Sequence, residues 1–254
     1  MTSDSIHDQR IIAQFTRWAA PFASLPVHAE ADGMARTLSA VDLQPGDRVL
    51  DVACGPGIVA CALAAEGAQV TGIDLTPAMI AEAQARQSTL GLTGLDWQVG
   101  DATALPFADG LFDRVVTRYS FHHLPEPIAA LREMRRVCRP GGRLVVIDAT
   151  PAADAQAAYD RMETLRDPSH TSALTLDQLR AIGREVGLAE AVIDFYPLEA
   201  QLATLADAGD MAALEAMFDA DIASGGDHIG VGARRDADGI HFTFPVSIVA
   251  WQRD

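Results

Sequence analysis

Basic residues are scarce: 19 Lys and Arg stand against 35 Asp and Glu, a formal net charge of −16 over 254 residues. An acidic surface attracts neither a phosphate backbone nor an anionic lipid sheet, which argues against nucleic acid or a membrane as the main partner. The one dense basic group, Arg132, Arg135, Arg136, Arg139 and Arg143, reads as the solvated face of a helix. Cysteine is rare as well. Cys54, Cys61 and Cys138 make no Cys-x-x-Cys pair and leave an odd thiol, which fits a reducing, cytoplasmic compartment. No apolar run approaches the ~18 residues that a membrane span needs. The opening MTSDSIHDQR lacks the basic-then-apolar order of a secretory signal. Repeats and low-complexity tracts are missing. No grouping of His, Cys, Asp or Glu has metal-ligand spacing, so no metal is expected.

What is present is a globular composition, 49% hydrophobic and 21% charged, in a chain long enough to bury a full core. From residue 48 onward, short β-branched runs alternate with helix-patterned segments. Strands are predicted at 48–52, 69–73, 95–99, 112–117 and 143–149. Helices are predicted at 58–66, at 77–90 with Pro77 in the first turn, and at 127–138, stopped by Pro140-Gly141-Gly142. This order predicts an α/β fold: a mostly parallel, Rossmann-like sheet covered by helices on both faces. The flanks differ. Residues 5–40 pattern as one or two amphipathic helices. A helix at 176–186 and strands at 191–196 and 240–251 follow the core, with a helical insert near 198–225 that begins at Leu198. The last two strands are expected to pair as an antiparallel edge of a seven-stranded sheet.

Three strand ends carry chemistry. In Val49-Leu50-Asp51-Val52-Ala53-Cys54-Gly55-Pro56-Gly57, an apolar strand runs into a turn of small residues. Gly55 and Gly57 admit backbone conformations and close approaches that a Cβ would block. Asp51 can accept hydrogen bonds from an ammonium group or orient the loop. Asp74 ends the next strand, 23 positions after Asp51. That placement suits both ribose hydroxyls of a nucleoside, and Thr76, just before Pro77, is the better helix cap. Gly100-Asp101-Ala102 closes the third strand, where Asp101 can accept from an adenine amine and Ala102 leaves room for the ring.

VLDVACGPG, GIDLTPAMI, GDATALPF, FDRVVTRYSFHHL and RPGGRLVVID resemble, in order and spacing, the motifs of class I S-adenosylmethionine-dependent methyltransferases. The likeness points to small-molecule enzymes related to the ubiquinone and menaquinone C-methyltransferases, and is specific over residues 10–150. It implies that Asp51 and the 53–57 backbone hold the methionine portion of the cofactor. It implies Asp74 on the ribose, Asp101 with Ala102 on the adenine, and Leu75 and Met79 packed on the adenine or ribose edge. Ala53 stands where the family usually has its first glycine. In this reading the single domain, 1–254, divides into an N-terminal cap (1–44), a cofactor-binding half (45–150) and a substrate-side half (151–254).

The segment Thr117-Arg118-Tyr119-Ser120-Phe121-His122-His123 follows the fourth strand, which in the family contacts cofactor and acceptor. Arg118 suits the cofactor carboxylate or an acidic substrate group, and Tyr119 the pocket wall. His122 or His123 has a reference pKa near 6.5 that suits a base for the acceptor proton. Thinner candidates are Phe15 and Trp18 as a cap, His170 in a closing loop, and Asp148 facing the pocket; nothing marks Cys54 as a nucleophile. A nicotinamide fingerprint needs a third glycine, which is missing, and Pro56 removes an N–H donor. There is no GxxxxGK loop, no GxSxG elbow, and no Asn/Asp-Pro-Pro-aromatic tetrad. The expected function is methyl transfer from S-adenosylmethionine to a small organic acceptor at O, N or C, giving S-adenosylhomocysteine, in a monomer or homodimer. The N-terminal helices and the insert would form its lid. The alternatives are a methyltransferase for RNA or protein, a non-methylating enzyme that keeps the cofactor, or a scaffold of the same fold.

Overall fold

The computed structural model describes residues 3–24, 31–205 and 211–254. Residues 25–30 of the expected cap and 206–210 of the expected insert lie outside the described residues. The strands are β1 (Arg48–Val52), β2 (Gln69–Asp74), β3 (Leu95–Val99), β4 (Phe112–Arg118), β5 (Cys138–Ala149), β6 (Ala189–Gln201), β7 (Arg234–Asp236) and β8 (Gly239–Gln252). They lie in the order β3-β2-β1-β4-β5-β8-β6, with the short β7 paired to β8. β1 to β5 pair in parallel, while β8 runs antiparallel to both neighbours. The chain builds outward from β1 to β3, then returns to place β4 on the other side of β1. That reversal opens a crevice at the carboxyl ends of β1 and β4, where open α/β sheets bind ligands.

The strands are apolar at nearly every position because both faces are covered. Val49, Val70, Val116, Val145 and Ile147 face one core with α2 (Ala31–Val41) and α3 (Ile58–Ala65). Leu50, Ile73, Val115, Leu144 and Val146 face the other, with α5 (Pro127–Val137) and α7 (Leu176–Glu185). A third cluster joins α6 (Gln156–Arg166) and α9 (Met211–Ser224) to the start of β8 through Tyr159, Met162, Phe218 and Phe242. The remaining described helices are α1 (Ser3–Ser24), α4 (Pro77–Leu90) and the short α8 (Leu202–Leu205).

Three expectations need correction. The sheet has eight strands rather than seven, because the short β7 adds to the start of β8. The helical insert does not begin at residue 198: β6 runs on to Gln201, with Leu198 opposite Phe244 and Gln201 opposite His241. Tyr196, Leu198 and Ala200 are buried with their neighbours exposed, a period of two that marks a strand. The last two strands do pair antiparallel at the sheet edge. The strand that opposes the rest, β8, is not outermost but lies between β5 and β6, because residues 246–251 are buried on both faces and need cover on each side.

Candidate active site

The β1–α3 turn is built from backbone that side chains resist. Ala53, Gly55 and Gly57 all have positive φ (52°, 51° and 73°). An L-residue in this region is strained, so Ala53 holds at some cost a conformation that glycine adopts freely. Gly57 has a second reason. A Cβ there would stand 2.6 Å from the Trp97 ring and 2.9 Å from the Ala83 Cβ, and a Cβ on Gly72 would stand 2.5 Å from the same ring. The Trp97 indole thus fills the space under α3 and α4 that two missing side chains leave. Its Nε1 donates to Gln87 Oε1 at 2.7 Å.

The turn and the carboxyl ends of β1 to β4 enclose a cavity of about 460 Å³. The predicted Asp51, Ala53, Gly55, Asp74, Leu75, Met79, Asp101, Ala102, Arg118, Tyr119 and His123 all line it. Gly57 does not; its part is the packing on Trp97. Phe15 and Ile11 of α1 form the wall opposite. Cys54 lines it too, but burial pushes its thiol well up, away from reactivity.

Asp51 is 1% exposed, and its Oδ2 has no hydrogen-bond partner. Burial pushes its carboxyl up to about 7, against the pull of the Arg118 charge. Asp74 accepts from the Gly55 N–H at 2.9 Å and the Thr76 N–H at 2.8 Å. Burial also raises its pKa, and these N–H bonds work in the other direction. Thr76 occupies the N-cap of α4, but its hydroxyl makes no capping bond, contrary to the sequence expectation. Asp101 accepts from the Thr103 N–H at 2.7 Å and from the Thr103 hydroxyl, which shapes the β3 exit loop.

A second chamber of about 80 Å³ adjoins the first and shares Phe15, Tyr119 and His123 with it. Tyr119 stands between the two at φ 57°, a strained setting for a bulky residue. Its hydroxyl bonds that of Tyr196 at 2.7 Å, and Arg118 lies over its ring.

The two adjacent histidines divide here. His122 lines the second chamber and not the first. Its Nδ1 lies 2.6 Å from Asp148 Oδ1, and its backbone N–H donates to Asp148 Oδ2 at 3.2 Å. Burial opposes a charged ring, yet the Asp148 carboxylate outweighs it and raises the His122 pKa. Asp148 is held low in turn, its burial overcome by His122. His123 has the opposite fate. Burial and the neighbouring His122 charge lower its pKa, and its Nδ1 sits 3.2 Å from the Ser169 hydroxyl.

His170, expected in a closing loop, is buried on Asp160 at 2.8 Å and lines neither space. Sequence reasoning missed the α6 wall of the second chamber: Tyr159, Glu163 and Arg166. The i, i+3 spacing of Glu163 and Arg166 reads as an ordinary surface ion pair, and nothing in it signals that Glu163 is buried and Arg166 half-buried. Among the described residues, no His, Cys, Asp or Glu group could hold a metal, and no helix is long and apolar enough to cross a membrane.

These features fit an adenosyl amino acid. An orphaned buried carboxylate oxygen suits an ammonium. Acidic residues at two further strand ends suit hydroxyls and an exocyclic amine. No atom stands within 4 Å of where a Cβ on Gly55 would lie, so the loop leaves space beside the cavity.

Known proteins agree with this reading. A family profile described as "Methyltransferase domain" matches residues 50–146. The chain is 42% identical over 125 residues to a demethylmenaquinone methyltransferase of Beutenbergia cavernae, a match covering 48% of this chain and 50% of that protein. It therefore spans about half the length of that relative. A demethylmenaquinone methyltransferase of Mycolicibacterium vanbaalenii is 37% identical over 174 residues, 68% of this chain and 71% of that one. Among solved structures, the YcgJ protein of Bacillus subtilis superposes with a TM-score of 0.77 at 23% identity, covering 88% of this chain and 99% of that chain. Strand order, site placement and relatives converge: the chain belongs to the class I S-adenosylmethionine-dependent methyltransferases.

Proposed function

We propose that this chain transfers a methyl group from S-adenosylmethionine to a small organic acceptor and releases S-adenosylhomocysteine. The observation that carries the reading is the wall shared by Asp51 and Arg118. A buried carboxylate oxygen without a protein partner, beside a guanidinium, suits the ammonium and carboxylate of a zwitterionic methionine portion. Asp74 keeps lone pairs beyond its two N–H bonds and takes the ribose hydroxyls. Asp101 and Ala102 receive the adenine, with Leu75 and Met79 as apolar contacts.

The bound cofactor supplies an electrophilic methyl group on a positively charged sulfur. The chain supplies alignment, exclusion of water and a proton acceptor. Phe15 roofs both spaces, and Trp18 extends the roof over the second. His122 is the base of choice between the two histidines. Beside the Asp148 carboxylate its Nδ1 carries the proton, which leaves Nε2 to take one from an acceptor hydroxyl as the methyl bond forms. Asp148 then stabilises the imidazolium. His123, kept neutral by burial, positions the chamber wall through Ser169.

A chamber of about 80 Å³ favours a small acceptor over a polymer. Two relatives that act on demethylmenaquinone support an aromatic acceptor. Three free, buried cysteines suit a reducing cytoplasm. The test is parallel calorimetric titration with S-adenosylmethionine, S-adenosylhomocysteine and NAD. Micromolar binding of the two adenosyl ligands and none of NAD is expected. Silence from both adenosyl ligands overturns the proposal.

A further inference from the structure

The second chamber shows an imbalance between donors and acceptors. Every carboxylate on its wall is occupied. Asp148 accepts from the His122 ring, the His122 N–H and the Ala149 N–H. Glu163 takes both Arg166 Nε and Nη2, and Asp167 takes the Ser169 N–H and hydroxyl. The donors are not occupied. Tyr159 is 1% exposed, and its hydroxyl makes no hydrogen bond with any described residue. The Trp18 Nε1–H is buried with no partner. Arg166 Nη1 makes no bond among the described residues beyond those of its two sister nitrogens.

The Trp18 Nε1–H is a buried donor without a partner, which is costly, and the Tyr159 hydroxyl and Arg166 Nη1 add two more donors without protein bonds on the same wall, a set suited to a ligand that supplies acceptors. The same wall carries three carboxylates against one guanidinium and two imidazoles, of which burial keeps His123 neutral. Its surroundings are therefore not net positive, which disfavours a full anion and favours a neutral oxygen. Phe15, Tyr119 and Phe244 add aromatic surface beside the aliphatic Leu198, Leu205 and Val246.

Resting on the proposed function, we propose that the second chamber is the acceptor subsite and that Tyr159, Trp18 and Arg166 recognise a carbonyl oxygen on a compact aromatic acceptor. Tyr159 is the specificity-determining residue among them, since its ring is fixed in the α6–α9 core while its hydroxyl makes no hydrogen bond with any described residue. An acceptor lacking that oxygen leaves the donors unpaired, which a site of this kind penalises more than a lost apolar contact.

Three probes of matched shape read this directly: 4-hydroxyacetophenone, 4-ethylphenol, which lacks the carbonyl, and 4-hydroxybenzoate, which carries a full charge. Each is titrated into the full chain with and without S-adenosylhomocysteine. The ketone is expected to bind roughly tenfold or more tighter than the ethyl compound, with the carboxylate weaker than the ketone. Tyr159→Phe is expected to lose about fivefold on the ketone, nothing on the ethyl compound and nothing on S-adenosylhomocysteine. Trp18→Phe is expected to narrow the same gap. Equal affinity for ketone and ethyl compound, tighter binding of the carboxylate, no binding of any probe, or an unchanged gap in both variants overturns the inference. Failure of S-adenosylhomocysteine itself to bind would instead overturn the proposed function, so the two failures are distinct.

Discussion

At the scale of single residues, Asp51 is the most informative. Its carboxyl is raised to about 7 because burial penalises the charged form. A carboxyl raised in the folded state holds its proton more tightly there than in the unfolded chain. Its contribution to stability is therefore lost as pH climbs from about 4 through about 7. A zwitterionic ligand reverses the preference, since its ammonium needs the ionised carboxylate. S-adenosylhomocysteine affinity should thus rise up to about tenfold from pH 6 to pH 8, and the slope should vanish in Asp51→Asn. A flat titration in the parent chain would remove Asp51 from the ammonium. Asp74→Ala should weaken the same ligand by about 2–3 kcal/mol, read by calorimetry, because it removes a charged partner of the ribose and an anchor of the Gly55 N–H. Ala53 makes a prediction of the opposite sign. Its φ of 52° is strained, so Ala53→Gly should stabilise the fold by about 1 kcal/mol in thermal unfolding, without changing the cavity. A lower melting temperature would show that chain entropy outweighs the strain.

Elements are positioned by contacts of varied legibility. The β1–β5 pattern, the glycine turn and the acidic strand ends are written as local periodicity and local motif, so they can be read without the fold. Trp97 is not. Nothing in Leu95–Val99 announces that its tryptophan reaches past β2 to fill the gap at Gly72 and Gly57; the only trace is a glycine inside the β-branched run of β2. Gly72→Ala should therefore cost about 1–3 kcal/mol by overpacking, seen as a drop in the denaturation midpoint. Pairing it with Trp97→Leu should recover part of that loss, a non-additivity expected of side chains in contact. The α6 wall of the second chamber was equally hidden, because the burial of Tyr159 and Glu163 depends on where α6 docks against β8 and α9. The extension of β6 to Gln201 was masked by a helix-compatible composition that the pairing with β8 overrides.

On the whole-molecule scale, charge dominates. All 19 basic residues are arginine, against 35 acidic residues. Four of the five arginines in the basic group are tied up in ion pairs, with Glu185, Glu133, Asp113 and Asp42. That leaves this arginine group largely neutralised, within a surplus of negative charge that repels itself. Raising salt from about 20 to about 200 mM should raise the melting temperature by screening this repulsion. A fall would mean that the arginine pairs outweigh it. The cofactor cavity draws nearly all its walls from residues 51–129, with only α1 added. The second chamber adds to Tyr119, His122, His123 and the end of β5 residues of α1, α6, β6 and β8, far apart in sequence. The two spaces share Phe15, Tyr119 and His123, but the rest of their walls is encoded apart. If the second chamber is the acceptor subsite proposed above, drift or deliberate randomisation at positions such as 18, 159, 198 and 244 retunes what is methylated while the wall formed by residues 51–102 is left unchanged. One such scaffold can therefore seed a lineage of enzymes that share a donor and diverge in what they modify.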